Sequence, residues 1–181
     1  MQITFAQAGE GPPLVLLRGT TSDSRAWQPQ LEGLSDEFTV VAWDGPRLNG
    51  SSRSESLRPS ACVDYLAGFI RTLGLGRPHV LGLASGTALA LELYRRYPDV
   101  PQSLVLAEAE LPAGLPAIDI PTLLLYGDRN GRTPLDTARN LHARIPVSQL
   151  AVLPGLGKNG HVKAPDVFNA EVRSFLRSVR N

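Results

Sequence analysis

The chain has 181 residues, and at about 150 residues per domain this length predicts one domain over residues 1–181. Hydrophobic residues make up 43% of the chain and charged residues 19%, so the side chains for a core are present. The 18 basic and 17 acidic residues leave a net charge of +1, which argues against a nucleic-acid partner.

The cysteine and histidine content excludes two further classes. Cys62 is the one cysteine, so no internal disulfide can form, and His79, His142 and His161 are too scattered for a metal site. No basic and apolar leader opens the chain, and no apolar stretch approaches the roughly 18 residues of a membrane span. We therefore expect a cytoplasmic protein with no membrane partner.

Short apolar runs alternate with segments of helical periodicity, which is typical of an α/β fold with a mostly parallel sheet. In chain order the predicted strands are residues 3–6, 14–17, 39–43, 79–83, 103–107, 122–126 and 149–153. The predicted helices are residues 61–73, 87–97, 135–145 and 164–179. Together they predict a three-layer α/β/α sandwich with about seven strands. The connection at residues 9–13 is too short for a parallel crossover, so the first two strands are expected to be antiparallel neighbours.

Five motifs occur in a recognisable order. They are Leu16-Leu17-Arg18-Gly19 followed by Trp27; Val41-Ala42-Trp43-Asp44 before a Gly/Ser-rich loop; Gly82-Leu83-Ala84-Ser85-Gly86; Leu123-Leu124-Leu125-Tyr126-Gly127-Asp128-Arg129-Asn130; and Gly155-Leu156-Gly157-Lys158 before Ala164-Pro165. From Leu14 onwards the chain resembles the α/β-hydrolase superfamily. The resemblance implies a ligand site at the carboxyl edge of the sheet, and the short stretch after Ala107 implies a member without a cap.

The three positions of the family's catalytic triad carry other residues. The nucleophile elbow reads G-x-S-x-G in the family, but its central residue here is Ala84, which has no hydroxyl. Ser85 follows it, and in an elbow that side chain points elsewhere. Asn130 stands at the position of the acid, and Lys158 at that of the histidine.

Several neighbouring residues leave alternatives open. Asp128 is expected to be a structural residue of its turn. Glu108 and Glu110 are either displaced acids or solvated loop carboxylates. His161 is placed by the resemblance beside the site, and a shift of its loop would bring it in, so Lys158 and His161 are the two candidate catalytic residues.

The resemblance also implies an oxyanion hole made of backbone amides, those of Thr20 and Ser85, which need no particular side chain. The predicted binding residues are Arg18, Gly19, Thr20, Ala84, Ser85 and Asn130. Arg18 and Lys158 either contact an anionic ligand or are solvated, and the same choice applies to Arg47 and Arg129.

Three functions fit this pattern. The first is a non-hydrolytic enzyme that isomerises, cyclises, eliminates or decarboxylates a small carbonyl or carboxylate metabolite. The second is a pseudoenzyme that binds a small anionic ligand or a protein partner. The third is a weak ester or thioester hydrolase. No metal, nucleotide or flavin is predicted, because no phosphate-binding glycine motif follows a strand.

Overall fold

The computed structural model describes residues 2–18, 24–47, 59–131, 135–157 and 159–179. In chain order its strands are β1 Gln2–Ala8, β2 Pro13–Leu17, β3 Thr39–Arg47, β4 His79–Leu83, β5 Ser103–Ala107, β6 Thr122–Gly127 and β7 Ser148–Leu153. Its helices are α1 Gln28–Leu34, α2 Pro59–Thr72, α3 Ser85–Arg96, α4 Leu135–Arg144, α5 Gly160–Lys163 and α6 Pro165–Val179, with a 3-10 helix at Ser24–Trp27.

The seven strands form one sheet in the order β1-β3-β2-β4-β5-β6-β7. Every neighbouring pair is parallel except β1 with β3, which is antiparallel. The mostly parallel seven-stranded sheet is thus confirmed. Because the parallel strands share a direction, the residues after β2, β4, β5 and β6 all emerge at the same edge of the sheet.

The predicted pairing of β1 with β2 is wrong, because β3 lies between them. Strands lie about 4.8 Å apart, so a connection that skips one strand covers roughly 10 Å, a span within reach of four extended residues. The connection crosses the start of β3, where Gly11 N donates to Thr39 Oγ1 and Thr39 N to Pro12 O, each at 3.1 Å. Gly9 has φ +80°, and a Cβ there would lie 2.3 Å from the carbonyl oxygen of Phe38.

Alternation along the strands divides the core between the two faces of the sheet. Val15 and Leu17 of β2 face α2, α3 and α4, whereas Leu14 and Leu16 face α1 and α6. All four side chains are fully buried. Helices therefore cover both faces, and the predicted three-layer sandwich is confirmed.

Two features of the fold differ from the sequence prediction. Strand β3 continues beyond Trp43 to Arg47, because β1 pairs with it along this extension and places Gln2 opposite Arg47. Helices α1 and α5 were not predicted. Helix α1 has only seven residues and α5 only four, so neither carries enough periodicity to reveal itself in the sequence.

Candidate functional site

The turn between β4 and α3 has the geometry of an elbow. Ala84 adopts φ 50° and ψ −116°, a conformation that is strained for any residue with a Cβ. Its amide donates to Ala107 O at 2.9 Å, and its carbonyl accepts from Thr87 Oγ1 at 2.6 Å. The turn is therefore fixed on both sides of Ala84, which compensates for the strain.

Two glycines permit the close approach that this turn requires. A Cβ on Gly86 would lie 2.1 Å from the carbonyl oxygen of Leu17 at the end of β2. A Cβ on Gly82 would lie 2.7 Å from the carbonyl oxygen of Gly86. The glycines of the motif thus bring the start of α3 against the ends of β2 and β4.

The elbow places the start of helix α3 at the carboxyl end of β4. Ser85 is the first residue of α3, and amides in the first turn of a helix have no intrahelical acceptor. The Ser85 hydroxyl is engaged elsewhere, since it donates to Arg18 O at 3.1 Å. What Ser85 offers a ligand at this point is its N–H and the positive end of the helix dipole.

A cavity of about 500 Å³ opens in front of the elbow. Its polar lining consists of Arg18, Ser85, Thr87, Glu108, Glu110, Asn130 and Asn159. Its apolar lining consists of Leu83, Ala84, Ala88, Leu91, Leu111 and Pro112. Pockets that hold small organic ligands have volumes of roughly 300–1,000 Å³ and combine apolar walls with a few polar groups, so the cavity is of the right size and kind.

Glu108 and Asn130 are joined directly at the rim of this cavity. Glu108 follows β5 with a positive φ of 54°, and its Oε1 accepts from Gly127 N at 2.8 Å. Its Oε2 accepts from the Asn130 side chain. The carboxylate therefore lies beside the residue at the family's acid position. Asp128 accepts from Gly155 N at 2.7 Å, so it holds the turn after β6 against the turn after β7, as predicted for a structural residue.

His161 lies outside the cavity lining and inside the protein. Its side chain is 1% exposed, and its ring is 5.3 Å from that of Trp27 and 6.1 Å from that of Phe168. Neither ring nitrogen has a hydrogen-bond partner in the structure of the described residues. Burial, followed by the charge of Arg18, lowers the pKa of His161 to about 4, so the ring is neutral at pH 7.

Four of the predicted binding residues, Arg18, Ala84, Ser85 and Asn130, surround one cavity. Three other predictions, Gly19, Thr20 and Lys158, lie outside the described residues. Sequence reasoning missed Asn159, and also the apolar wall with Leu91 and Pro112. Asn159 has φ +66°. In the sequence, its position next to a glycine-rich loop is the signal that could have pointed to a place at the site.

The comparison with protein families decides the classification. The model of the alpha/beta hydrolase fold family matches residues 12–155, which include the elbow and most of the sheet. The chain belongs to the alpha/beta hydrolase fold family.

Curated relatives of this hydrolase-fold chain include several proteins named as hydrolases. It is 32% identical over 104 residues to 2-(acetamidomethylene)succinate hydrolase of Mesorhizobium japonicum, covering 57% of this chain and 37% of that protein. It is 32% identical over 100 residues to (E)-2-((N-methylformamido)methylene)succinate hydrolase of Acinetobacter baylyi, covering 53% of this chain and 37% of the relative. The matched part is thus well under half of each relative.

Solved structures share the fold over nearly the whole chain. A thermophilic esterase from Thermogutta terrifontis superposes with a TM-score of 0.89 at 21% identity, covering 99% of this chain and 94% of the other. A meta-cleavage product hydrolase from Pseudomonas fluorescens, a serine-to-alanine mutant complexed with acetates, gives a TM-score of 0.85 at 18% identity over 97% and 94% of the two chains. Among the described residues, no helix is both long and apolar enough to cross a bilayer.

Proposed function

We propose that this hydrolase-fold chain is a non-hydrolytic enzyme that acts on a small carbonyl or carboxylate compound bound at the elbow. The observation that carries the proposal is the elbow itself. Ala84 keeps a strained conformation that serves no nucleophile, and Ser85, the first residue of α3, lines a cavity of about 500 Å³ in front of it. A backbone donor such as the Ser85 amide stabilises negative charge on an oxygen whatever side chain precedes it.

One charged group at the elbow, the Arg18 guanidinium, suits a carbonyl or carboxylate oxygen, although Glu108 and Glu110 line the same cavity. Arg18 lines the cavity, and its carbonyl oxygen accepts a hydrogen bond from the Ser85 hydroxyl. The backbone of Arg18 is therefore held at the start of α3. A guanidinium and a helix N-terminus both favour an anionic oxygen. By the resemblance, Thr20 adds a second amide. Lys158 stands where the family has its histidine, and the proposal gives it the transfer of the proton.

The missing hydroxyl excludes one class of reaction. Without a serine at position 84, no acyl-enzyme can form there. The chemistry open to the site is removal of a proton next to the carbonyl: the base takes the proton, the C–H electron pair forms an enolate, and the enolate oxygen accepts from the Ser85 amide. In isomerisation the enolate regains a proton at another carbon, in cyclisation its carbon attacks an electrophilic carbon of the same molecule, and in elimination it expels a group from the next carbon. In decarboxylation the electron pair of the broken C–C bond, in place of the C–H pair, forms the enolate, and CO₂ leaves. We further propose that a single capless domain performs this, in keeping with the absence of helices and strands from residues 108–121.

Two measurements test the proposal. Acetate, a small carboxylate, is titrated against the protein and followed by NMR. We expect binding that Arg18→Met weakens at least fivefold and that the exposed control Arg144→Met leaves within twofold. 2-Oxobutanoate is then incubated in D₂O; we expect the protein to accelerate loss of its methylene proton signal and Lys158→Ala to abolish the acceleration. Absence of acetate binding would refute the anion site, and absence of exchange would refute the enzyme.

A ligand-binding pseudoenzyme is the second candidate, and the position of His161 favours it. A ring that is 1% exposed between Trp27 and Phe168 does not reach the cavity, which leaves one fewer group to move protons there. Acetate binding without exchange of 2-oxobutanoate would select this candidate. The same observation weighs against the weak hydrolase, which needs a base that activates water.

A further inference from the structure

A buried hydrogen-bond network joins α1 to the two C-terminal helices. The Gln30 side chain is completely buried. Its Nε2 donates to the carbonyl oxygen of His161 at 2.8 Å and to Oδ1 of Asn169 at 3.1 Å. Asn169 Nδ2 donates in turn to Pro29 O at 3.0 Å. These partners are 131 to 140 positions apart in the sequence, so the network fixes two distant segments against each other.

The His161 carbonyl needs this donor because the sequence removes the usual one. The carbonyls of Asn159 and Gly160 accept from the amides four residues further on, at 3.0 and 2.9 Å. For His161 the corresponding residue is Pro165, which has no N–H. Gln30 therefore provides, from another helix, a hydrogen bond that the proline cannot make.

Helix α1 is shaped to admit this network. Gly33 lies within the helix, where glycine is unfavourable. A Cβ at this position would lie 2.2 Å from Asn169 Nδ2, so any larger residue would displace the amide. The glycine is explained by the room that it leaves for Asn169.

The network ends at His161, two positions along the sequence from Asn159, which lines the cavity. Asn159 immediately precedes α5, and α5 is a helix of four residues that contains His161. A single helical turn is unstable by itself, and the Asn159 side chain makes no capping hydrogen bond to it. Tertiary contacts must therefore hold α5, and the buried bond from Gln30 is one of them.

We infer that Gln30, supported by Asn169, is a positioning residue of the elbow site. Through the His161 carbonyl it holds α5 against α1, and thereby keeps Asn159 at the cavity wall. The inference deepens the proposed function, since it takes the cavity to be a ligand site. Gln30 itself touches no ligand.

The test compares Gln30→Met with a matched control. Methionine is similar in length but donates no hydrogen bond, so we expect acetate to bind at least fivefold more weakly, with shifted NMR signals from the Asn159 amide and the His161 ring. The control Val172→Ala also removes buried atoms from the same face of the sheet. It should leave acetate affinity within twofold and both signals in place. Unchanged affinity and signals in Gln30→Met would overturn the inference.

Two further observations keep this inference separable from the proposed function. If the unaltered protein fails to bind acetate, the proposed function fails, while the signals of Asn159 and His161 still report whether Gln30 positions them. If Gln30→Met does not fold, Asn169→Ser breaks the same network at its other end. We expect the same signals to shift in that variant, and unshifted signals would overturn the inference.

Discussion

Replacing His161 with phenylalanine should remove a pH dependence from the stability of the fold. The ring is 1% exposed between two aromatic side chains, Trp27 and Phe168, which a phenylalanine can also contact. Burial is the main reason that the pKa of His161 falls from its ordinary 6.5 to about 4. The folded state therefore takes up this proton at lower pH than the unfolded state does.

The sign and size of the effect follow from linkage. Between pH 6.5 and about 4 the unfolded chain binds more protons, so acidification through this window lowers stability. At about 1.4 kcal/mol for each pH unit, the whole window corresponds to about 3 kcal/mol. Between pH 7.5 and 5 the loss from this one group is about 2 kcal/mol.

Urea denaturation at a series of pH values measures the effect. We expect His161→Phe to lose about 2 kcal/mol less than the unaltered protein between pH 7.5 and 5. At pH 7.5 the two should differ by less than about 1.5 kcal/mol, because one buried ring replaces another of similar volume. His142→Gln serves as the control, since it deletes a histidine from an exposed position of α4. Parallel stability curves for His161→Phe and the unaltered protein would refute the reasoning.

Three further changes have definite expected outcomes. Gly86→Ala should destabilise the fold by more than about 2 kcal/mol, since its Cβ would lie 2.1 Å from a backbone oxygen of β2. The control Gly68→Ala on α2, whose Cβ would have no atom within 4 Å, should be neutral or stabilising by up to about 1 kcal/mol. Urea denaturation measures both variants. Ala84→Ser should give no burst of p-nitrophenol from p-nitrophenyl acetate, because the residues at the acid and histidine positions stay unchanged, and a burst would contradict this. The pKa of Glu37 is lowered to about 2, first by the hydrogen bond from Arg177. Stability from this carboxylate is present above pH 4.5 and is lost as the pH falls toward 2. In Glu37→Gln the melting temperature should therefore fall less steeply with pH over this range, and an unchanged pH dependence would count against the ion pair.

The sequence by itself determined the strands and the elbow, because both are local properties. Apolar runs such as residues 79–83 and 103–107 predict buried strands from their own residues, and the structure has β4 and β5 at these positions. The Gly82-Leu83-Ala84-Ser85-Gly86 motif predicts the tight turn around Ala84 through its resemblance to the family's elbow, and the structure has a turn there.

Tertiary structure decided the features that depend on residues far apart in the chain. The connection at residues 9–13 does not reveal that β3 lies between β1 and β2, because the same length of chain suits either arrangement. The pairing of Glu108 with Asn130 depends on the register of β5 and β6, which places the ends of both strands together. In the sequence, Gln30 is an ordinary polar residue of a short segment. The packing of α1 against α5 and α6 buries it and brings it to the His161 carbonyl, which has no helical donor because residue 165 is a proline. Long-range contacts of this kind depend on the whole fold, so they cannot be predicted from the local periodicity of the sequence.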